Sequence, residues 1–259
     1  LTKRLGQHHL VDPALIRQFL DRCRLSSDDT VVEIGAGLGA LTGPLAERAG
    51  RVMAVEIDRA VGRLLSERLA GVPGVTVICE DILDFSWNGL RDVTVIGAIP
   101  YQVTSQILVA LCERRRIIRR AVLIMQEEVA ERLVAGPGTK AYGRLSLLAQ
   151  YCWDVSILMR VPRRAFFPQP RVESCAVQLM GHRQPPVAIE DERWFFEVVK
   201  SAFSHRRKTL VNCLVAGPRG DGVDRTEAEA GIQPLYTLFD LKFPKIIWAQ
   251  LDSLKGIIA

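Results

Sequence analysis

Long apolar runs are missing from these 259 residues. Stretches such as AVLIM at 121–125 fall far short of a bilayer span, so no membrane-spanning helix is expected. The start, LTKRLGQHHL, has no apolar core of signal-peptide length, and secretion is not expected. It also has no initiator Met, which points to a short segment preceding Leu1. The six cysteines (Cys23, Cys79, Cys112, Cys152, Cys175, Cys213) form no Cys-x-x-Cys and no Cys/His pairing of zinc type, so no metal site is expected. Most sit in apolar segments and read as small buried hydrophobes of a reducing, cytoplasmic compartment. Internal repeats and low-complexity tracts are absent. Disorder is excluded, because 48% hydrophobic residues are too many and a net charge of +5 too modest. The pI near 9.0 hints at a polyanionic partner, but where the charges cluster matters more than their sum.

What remains is an alternation of short β-branched runs with helical spacing. The candidate strands are 30–34, 51–57, 75–79, 93–97 and 121–125, each nearly continuous in apolar residues, as when both faces of a parallel sheet are covered. Between them 38–49, 59–69, 105–114 and 127–133 carry helical periodicity. This order predicts a doubly wound, Rossmann-like α/β sheet. Two further strands, 155–161 and 175–180, are joined by a Pro-rich turn and fit an antiparallel pair closing one edge. After Met180 the composition changes, HRQPPVAIEDE reads as a linker, and 194–214 has helical spacing. The expected organisation is therefore a sheet domain over 1–182 and a small helical domain over 183–259.

The stretch VVEIGAGLGALT runs from an apolar strand through Gly35, Gly37 and Gly39 into a helix. Glycines there permit a sharp turn and close approach of the backbone to a ligand. Three acids strengthen a ligand reading: Glu33 before the glycines, Glu56 at the end of the second strand and Asp81 after the third. Ligands of open α/β sheets lie at the carboxyl ends of the strands, so all three carboxylates are expected in one crevice. The spacing is G-x-G-x-G rather than the dinucleotide G-x-G-x-x-G, and no GK[ST] follows to make a P-loop. S-adenosylmethionine fits better. Glu56 would hold its ribose, Asp81 its adenine amino group, and the acidic Glu33 turn its cationic methionine end.

The fourth strand ends in VIGAIPY. Asn/Asp-Pro-Pro-Tyr-like motifs at that place mark enzymes that methylate exocyclic amines of nucleic-acid bases. The chain resembles the KsgA-type ribosomal small-subunit adenine dimethyltransferases, whose version is Asn-Leu-Pro-Tyr. GQHHL (6–10) is similar to the family's Gly-Gln-Asn-Phe-Leu, and VPRRAFFPQPRVES to its Phe-x-Pro-x-Pro-x-Val-x-Ser segment. MQEEVAERLVAGPGTKAYGRLSLLAQY resembles its helix, basic loop and helix, and SAFSHRRKTLVNCL its C-terminal helix. The resemblance implies class I methyltransferase architecture and transfer of methyl groups to N6 of two adjacent adenosines in the 3′-terminal hairpin of small-subunit rRNA. The partner would be an immature ribosomal particle. By the same resemblance, Gln7, His8, Leu10, Ile57, Ile82 and Ala98 join the glycines and acids around the donor. Pro100 supplies a carbonyl to the target amine, and Tyr101 and Phe166 stack on the base. Phe167 is expected to pack as an edge-strand residue.

The chain departs from the family in two places. Ala98 stands where it has Asn, removing a side-chain acceptor for the amine, a loss of about 10²–10³ in rate for preorganised groups of this kind. The residue could reflect deliberate disabling, natural weakness, or substitution by another group. His8 and His9 stand where the family has Asn and Phe. His8 could keep a polar contact to the donor, and either histidine could reach the amine, although lone loop histidines are more often solvated and inert. Candidate RNA-contacting cations are Arg114, Arg115 and Arg116; Arg163, Arg164 and Arg171 beside the Phe-Pro segment; Lys140 and Arg144 in the loop; and Arg206, Arg207 and Lys208. A charge run is often only a solvated face. A non-catalytic assembly factor and a large-subunit antibiotic-resistance methyltransferase are the alternatives to the small-subunit enzyme. Nothing resembles a dedicated oligomer interface, so a monomer is expected.

Overall fold

A computed structural model describes residues 8–182, 186 and 192–203. In chain order the elements are β1 (His9–Leu10), α1 (Pro13–Cys23), β2 (Thr30–Ile34), α2 (Thr42–Ala46), β3 (Arg51–Val55), α3 (Arg59–Arg68), β4 (Val75–Ile78) and β5 (Val93–Ala98). Then follow α4 (Thr104–Glu113), β6 (Ile118–Gln126), α5 (Glu127–Val134), α6 (Arg144–Cys152), β7 (Trp153–Val161), β8 (Phe166–Phe167), β9 (Ser174–Gly181) and α7 (Glu192–Ala202). The chain divides into two compact units. One is Leu1–Val134 with Cys152–Arg183, the other Ala135–Tyr151 with Gln184–Ala259.

In the first unit seven strands form one sheet in the order β4-β3-β2-β5-β6-β9-β7. β2, β3, β4, β5 and β6 pair in parallel, and β9 lies antiparallel between β6 and β7. Val31, Val32, Val52, Val95, Ile96, Ala121, Val122 and Leu123 are fully buried, which is why these strands read as unbroken apolar runs. The chain builds outward from β2 through β3 to β4, then crosses to the other side of β2 to make β5. That reversal places the ligand crevice of an open sheet at the carboxyl ends of β2 and β5.

The helix expected at 38–49 is shorter. Gly39 closes a turn onto Ala36 and α2 begins only at Thr42, because the glycine backbone occupies the residues before it. Helix α1 was absent from the sequence expectation, yet its signals are local. Asp12 caps it, its Oδ1 accepting from the Ala14 and Leu15 amides at 2.9 and 3.1 Å, and Pro13 follows. Ile16, Phe19, Leu20 and Cys23 then bury one face. The Pro-rich connection between β7 and β9 contains β8, which pairs antiparallel with β1 through His9↔Phe167 and Leu10↔Phe166.

At the amino ends of β5 and β6 the polar groups are buried and matched. Asp29 accepts from Arg119 and lies 3.6 Å from Arg120, while its Oδ2 also accepts from the Ser26 amide at 2.8 Å. Arg120, 5% exposed, donates to the Arg24 carbonyl at 3.0 Å and to Thr94 Oγ1 at 3.3 Å. The described cysteines are all free thiols, and burial pushes that of Cys23 up to about 12.

In the second unit, Tyr151 packs against Phe195 and Phe196, with centroids 5.1 and 5.6 Å away, and donates a hydrogen bond to Glu192 at 3.0 Å. These contacts explain why 135–151 groups with the C-terminal residues instead of with the 1–182 domain expected from composition. Among the described residues no helix is long and apolar enough to cross a membrane.

Candidate active site

A cavity open to solvent lies at the carboxyl ends of β2 and β5. It is lined by His8, His9, Gly35, Gly37, Glu56, Ile57, Ala98, Ile99, Pro100, Tyr101, Ile124 and Phe166. Two expected groups, the glycine turn with Glu56 and the Ala98–Tyr101 segment with Phe166, therefore share one space.

The glycine half is built by backbone conformation. Gly35, Gly37 and Gly39 have φ of 70°, 55° and 85°, which L side chains rarely adopt. A Cβ on Gly37 would meet His9 Nδ1 at 2.9 Å, so the turn also needs the bare backbone for space. Glu56, 2% exposed, anchors it: Oε2 accepts from the Gly37 amide at 2.8 Å and Oε1 from the Asp58 amide at 2.9 Å. The same carboxylate thus fixes the turn and the start of α3 while presenting negative charge to the cavity. Half-exposed Ile57 beside it offers an apolar wall. This cradle suits a small cationic, ribose-bearing ligand such as S-adenosylmethionine.

Of the three carboxylates expected in one crevice, Glu56 lines this cavity. Glu33 is fully enclosed beneath the turn and does not line the cavity; its Oε2 and the neighbouring Thr42 Oγ1 make no well-formed hydrogen bond. Burial pushes its pKa up to about 8; the Thr42 hydroxyl opposes this in part and the Glu56 carboxylate adds to it. Asp81 folds back onto its own loop, accepting from the Leu83 amide at 2.9 Å, and it too stands outside the lining, as do Ile82, Gly39 and Leu10, the last buried in the core. Glu56 is therefore the only carboxylate among the lining residues. Gln7 lies outside the described residues.

In the other half, Ala98 ends β5 opposite Ile124 of β6. The Pro100 carbonyl accepts from the Val103 amide at 3.2 Å and from Thr104 Oγ1 at 3.1 Å. Both of its lone pairs belong to the first turn of α4, which corrects the expectation that Pro100 itself clamps a substrate amine. The Ile99 carbonyl is the remaining backbone acceptor of the pair. Tyr101 is held by a 2.8 Å hydrogen bond between its hydroxyl and Ser174, and burial raises its pKa despite that bond. Phe166 is buried against the cavity, whereas Phe167, one residue along the strand, points away and is 66% exposed. Its expected edge-strand packing is not found. The ring of His8, an expected contributor, lies 5.6 Å from that of Tyr101. The missed contributors are Ile99 and Ile124, which no pattern distinguished from core.

The basic clusters separate. Arg114 and Arg115 donate to the Ala110 and Cys112 carbonyls and close the end of α4 at the opposite side of the sheet, where Arg116 is exposed. Arg163, Arg164 and Arg171 are exposed and flank the Phe166–Pro170 segment; Arg163 pairs with Glu173 at 3.7 Å. Lys140 and Arg144 are exposed in the second unit. Arg206, Arg207 and Lys208 lie outside the described residues.

Comparison with known proteins agrees with this geometry. Residues 1–236 match the family model described as ribosomal RNA adenine dimethylase. The chain is 40% identical, over 90% of its length and 84% of the relative's, to ribosomal RNA small subunit methyltransferase A of Geobacillus sp. (strain WCH70). It is 41% identical, with the same shares, to the protein of that name from Bacillus mycoides (strain KBAB4). Among solved structures it resembles a dimethyladenosine transferase from Plasmodium falciparum, with a TM-score of 0.70 and 29% identity over 80% of this chain and 74% of that one. It also resembles the 23S rRNA methyltransferase ErmE, with a TM-score of 0.66 and 26% identity over 87% and 98%. The chain belongs to the ribosomal RNA adenine dimethylase family, methyltransferases that draw on S-adenosylmethionine and act on ribosomal RNA.

Proposed function

We propose that this protein methylates N6 of two adjacent adenosines in the 3′-terminal hairpin of small-subunit rRNA, within an immature ribosomal particle, as a cytoplasmic monomer. The observation that carries this reading is the single cavity joining the glycine–Glu56 cradle to the slot between Tyr101 and Phe166. Bound there, the donor supplies a methyl carbon activated by its cationic sulfur. Gly35, Gly37 and Glu56 hold it, with Asp81 and Ile82 at the rim. A flipped adenine lies between the rings of Tyr101 and Phe166, which exclude water from the reacting amine. The Ile99 carbonyl accepts one N6 hydrogen, favouring the pyramidal amine and its developing positive charge. Arg163, Arg164 and Arg171 take the flanking phosphates, and the second unit contacts the particle, with Lys140, Arg144, Arg206, Arg207 and Lys208 as its cations. The relatives at 40–41% identity are small-subunit enzymes, which favours that substrate over the large-subunit one of ErmE.

Ala98 favours a second reading, an assembly factor that binds donor and particle without turnover. Radiolabelled methyl transfer to immature small subunits, with free rRNA and large subunits as controls, separates the two. Incorporation confined to small subunits is expected; particle binding without incorporation would leave the scaffold.

A further inference from the structure

Both departures from the family pattern face the same cavity. Ala98 leaves the reacting amine short of a side-chain acceptor on one side, and His8 stands on the wall of that space. The two adjacent histidines have different surroundings. His9 lies against the glycine turn, its Nδ1 2.9 Å from where a Gly37 Cβ would sit, so it belongs with the donor. His8 belongs with the base: its ring is 5.6 Å from that of Tyr101 and tilted by 31°.

The tautomer of a neutral His8 ring follows from one contact. Its Nδ1 is 2.6 Å from the Pro168 carbonyl oxygen. A carbonyl can only accept, so Nδ1 carries the hydrogen and donates it. In the neutral ring the lone pair is then fixed on Nε2. Nε2 has no hydrogen-bond partner among the described residues, so a base acceptor on the cavity wall is left unmatched.

We infer that His8 Nε2 supplies the amine acceptor that Ala98 lacks, the Nδ1–H···O bond to Pro168 holding the ring in the required tautomer. With the Ile99 carbonyl on one N6 hydrogen and His8 on the other, the amine lone pair is turned out of conjugation towards the methyl carbon. The carbon–nitrogen bond forms as the sulfur–methyl bond breaks, and the electron pair of that bond stays on sulfur. The positive charge passes to N6, and the proton that N6 then sheds travels along its hydrogen bond to Nε2. This inference rests on the proposed base methylation and assigns it a second polar contact.

The test is a double-mutant cycle on the full chain, reading methyl incorporation into immature small subunits and donor affinity by calorimetry. His8→Ala should lower kcat by about 10²-fold or more in the wild-type background, as for other preorganised acceptors. Ala98→Asn provides a second acceptor, so His8→Ala in that background should cost only about threefold. His8→Gln, which keeps an acceptor of similar reach, should retain more activity than His8→Ala. Donor affinity should change little throughout, because Glu56 and the glycine turn are intact. Equal fold losses in the two backgrounds, or none in the first, overturn the inference and leave the methyltransferase reading standing. A wild-type protein that is silent while Ala98→Asn is active also overturns it, and again keeps the base slot. Silence of both, with donor bound, overturns the proposed function together with the inference.

Discussion

The two ends of the parallel sheet treat buried polar groups in opposite ways. At the amino ends Asp29, Arg119, Arg120, Thr94 and the Arg24 carbonyl satisfy one another, and the arginines after α4 cap helix carbonyls. At the carboxyl ends the glycines hold left-handed backbone, Glu33 is enclosed without a full set of partners, and its carboxyl is pushed up to about 8. One end is closed by ion pairs and helix caps within the protein; the other carries the cavity. Positive charge alone therefore does not mark a nucleic-acid site. The densest arginine run lies at the closed end.

Asp29→Ala tests this contrast most severely. It strands the largely buried Arg120 guanidinium, and removing one partner of a buried pair costs about 3–5 kcal/mol, read as a lower denaturation midpoint. Donor affinity should stay within about twofold, since the change lies at the far end. A large loss of donor binding in the folded variant would break the division between the ends.

Glu33→Gln probes the cavity end by pH. A carboxyl whose folded pKa is about 8, against an ordinary 4.5, retains its proton while the unfolded chain has lost it. Donor-free stability should therefore fall as pH rises from about 4.5 to about 8, by a few kcal/mol in all. Glu33→Gln should remove that slope in pH-dependent denaturation, and a slope unchanged by the substitution would place its origin elsewhere.

Gly37→Val should cost about 1–3 kcal/mol through its φ of 55° and its clash with His9, and weaken donor binding about tenfold or more. Calorimetry against matched unfolding curves separates the two effects. The smallest effects concern charge. Arg164→Ala should reduce the salt slope of particle binding by about one, whereas Arg116→Ala should leave it unchanged. Equal slopes for the two variants would return the arginine run at the amino ends to the RNA face.

The parallel strands were legible because burial on both faces leaves nearly unbroken apolar runs, and 30–34 coincides with β2. The glycine turn and Glu56 were legible because backbone freedom and a carboxylate at a strand end have few other uses together. Side-chain direction was not. Which acid after a strand lines the cavity, Glu56 rather than Asp81, depends on the local turn rather than on residue type. The commitment of the Pro100 carbonyl was hidden for a related reason: the first turn of α4 takes it up. His8 was readable as polar, but its tautomer depends on Pro168, 160 residues away.

That last separation also bears on synthesis. The pairing of β1 with β8, reinforced by the Val11 amide on the Ala165 carbonyl, joins the first described residues to a segment made much later. A chain leaving the ribosome carries His8, the glycine turn and the Ala98–Tyr101 segment long before Phe166 exists to close the slot. Domains otherwise fold from the amino terminus as they emerge. The slot between Tyr101 and Phe166 is thus a late product of translation, and a chain stalled before Phe166 carries the glycine turn but no closed slot.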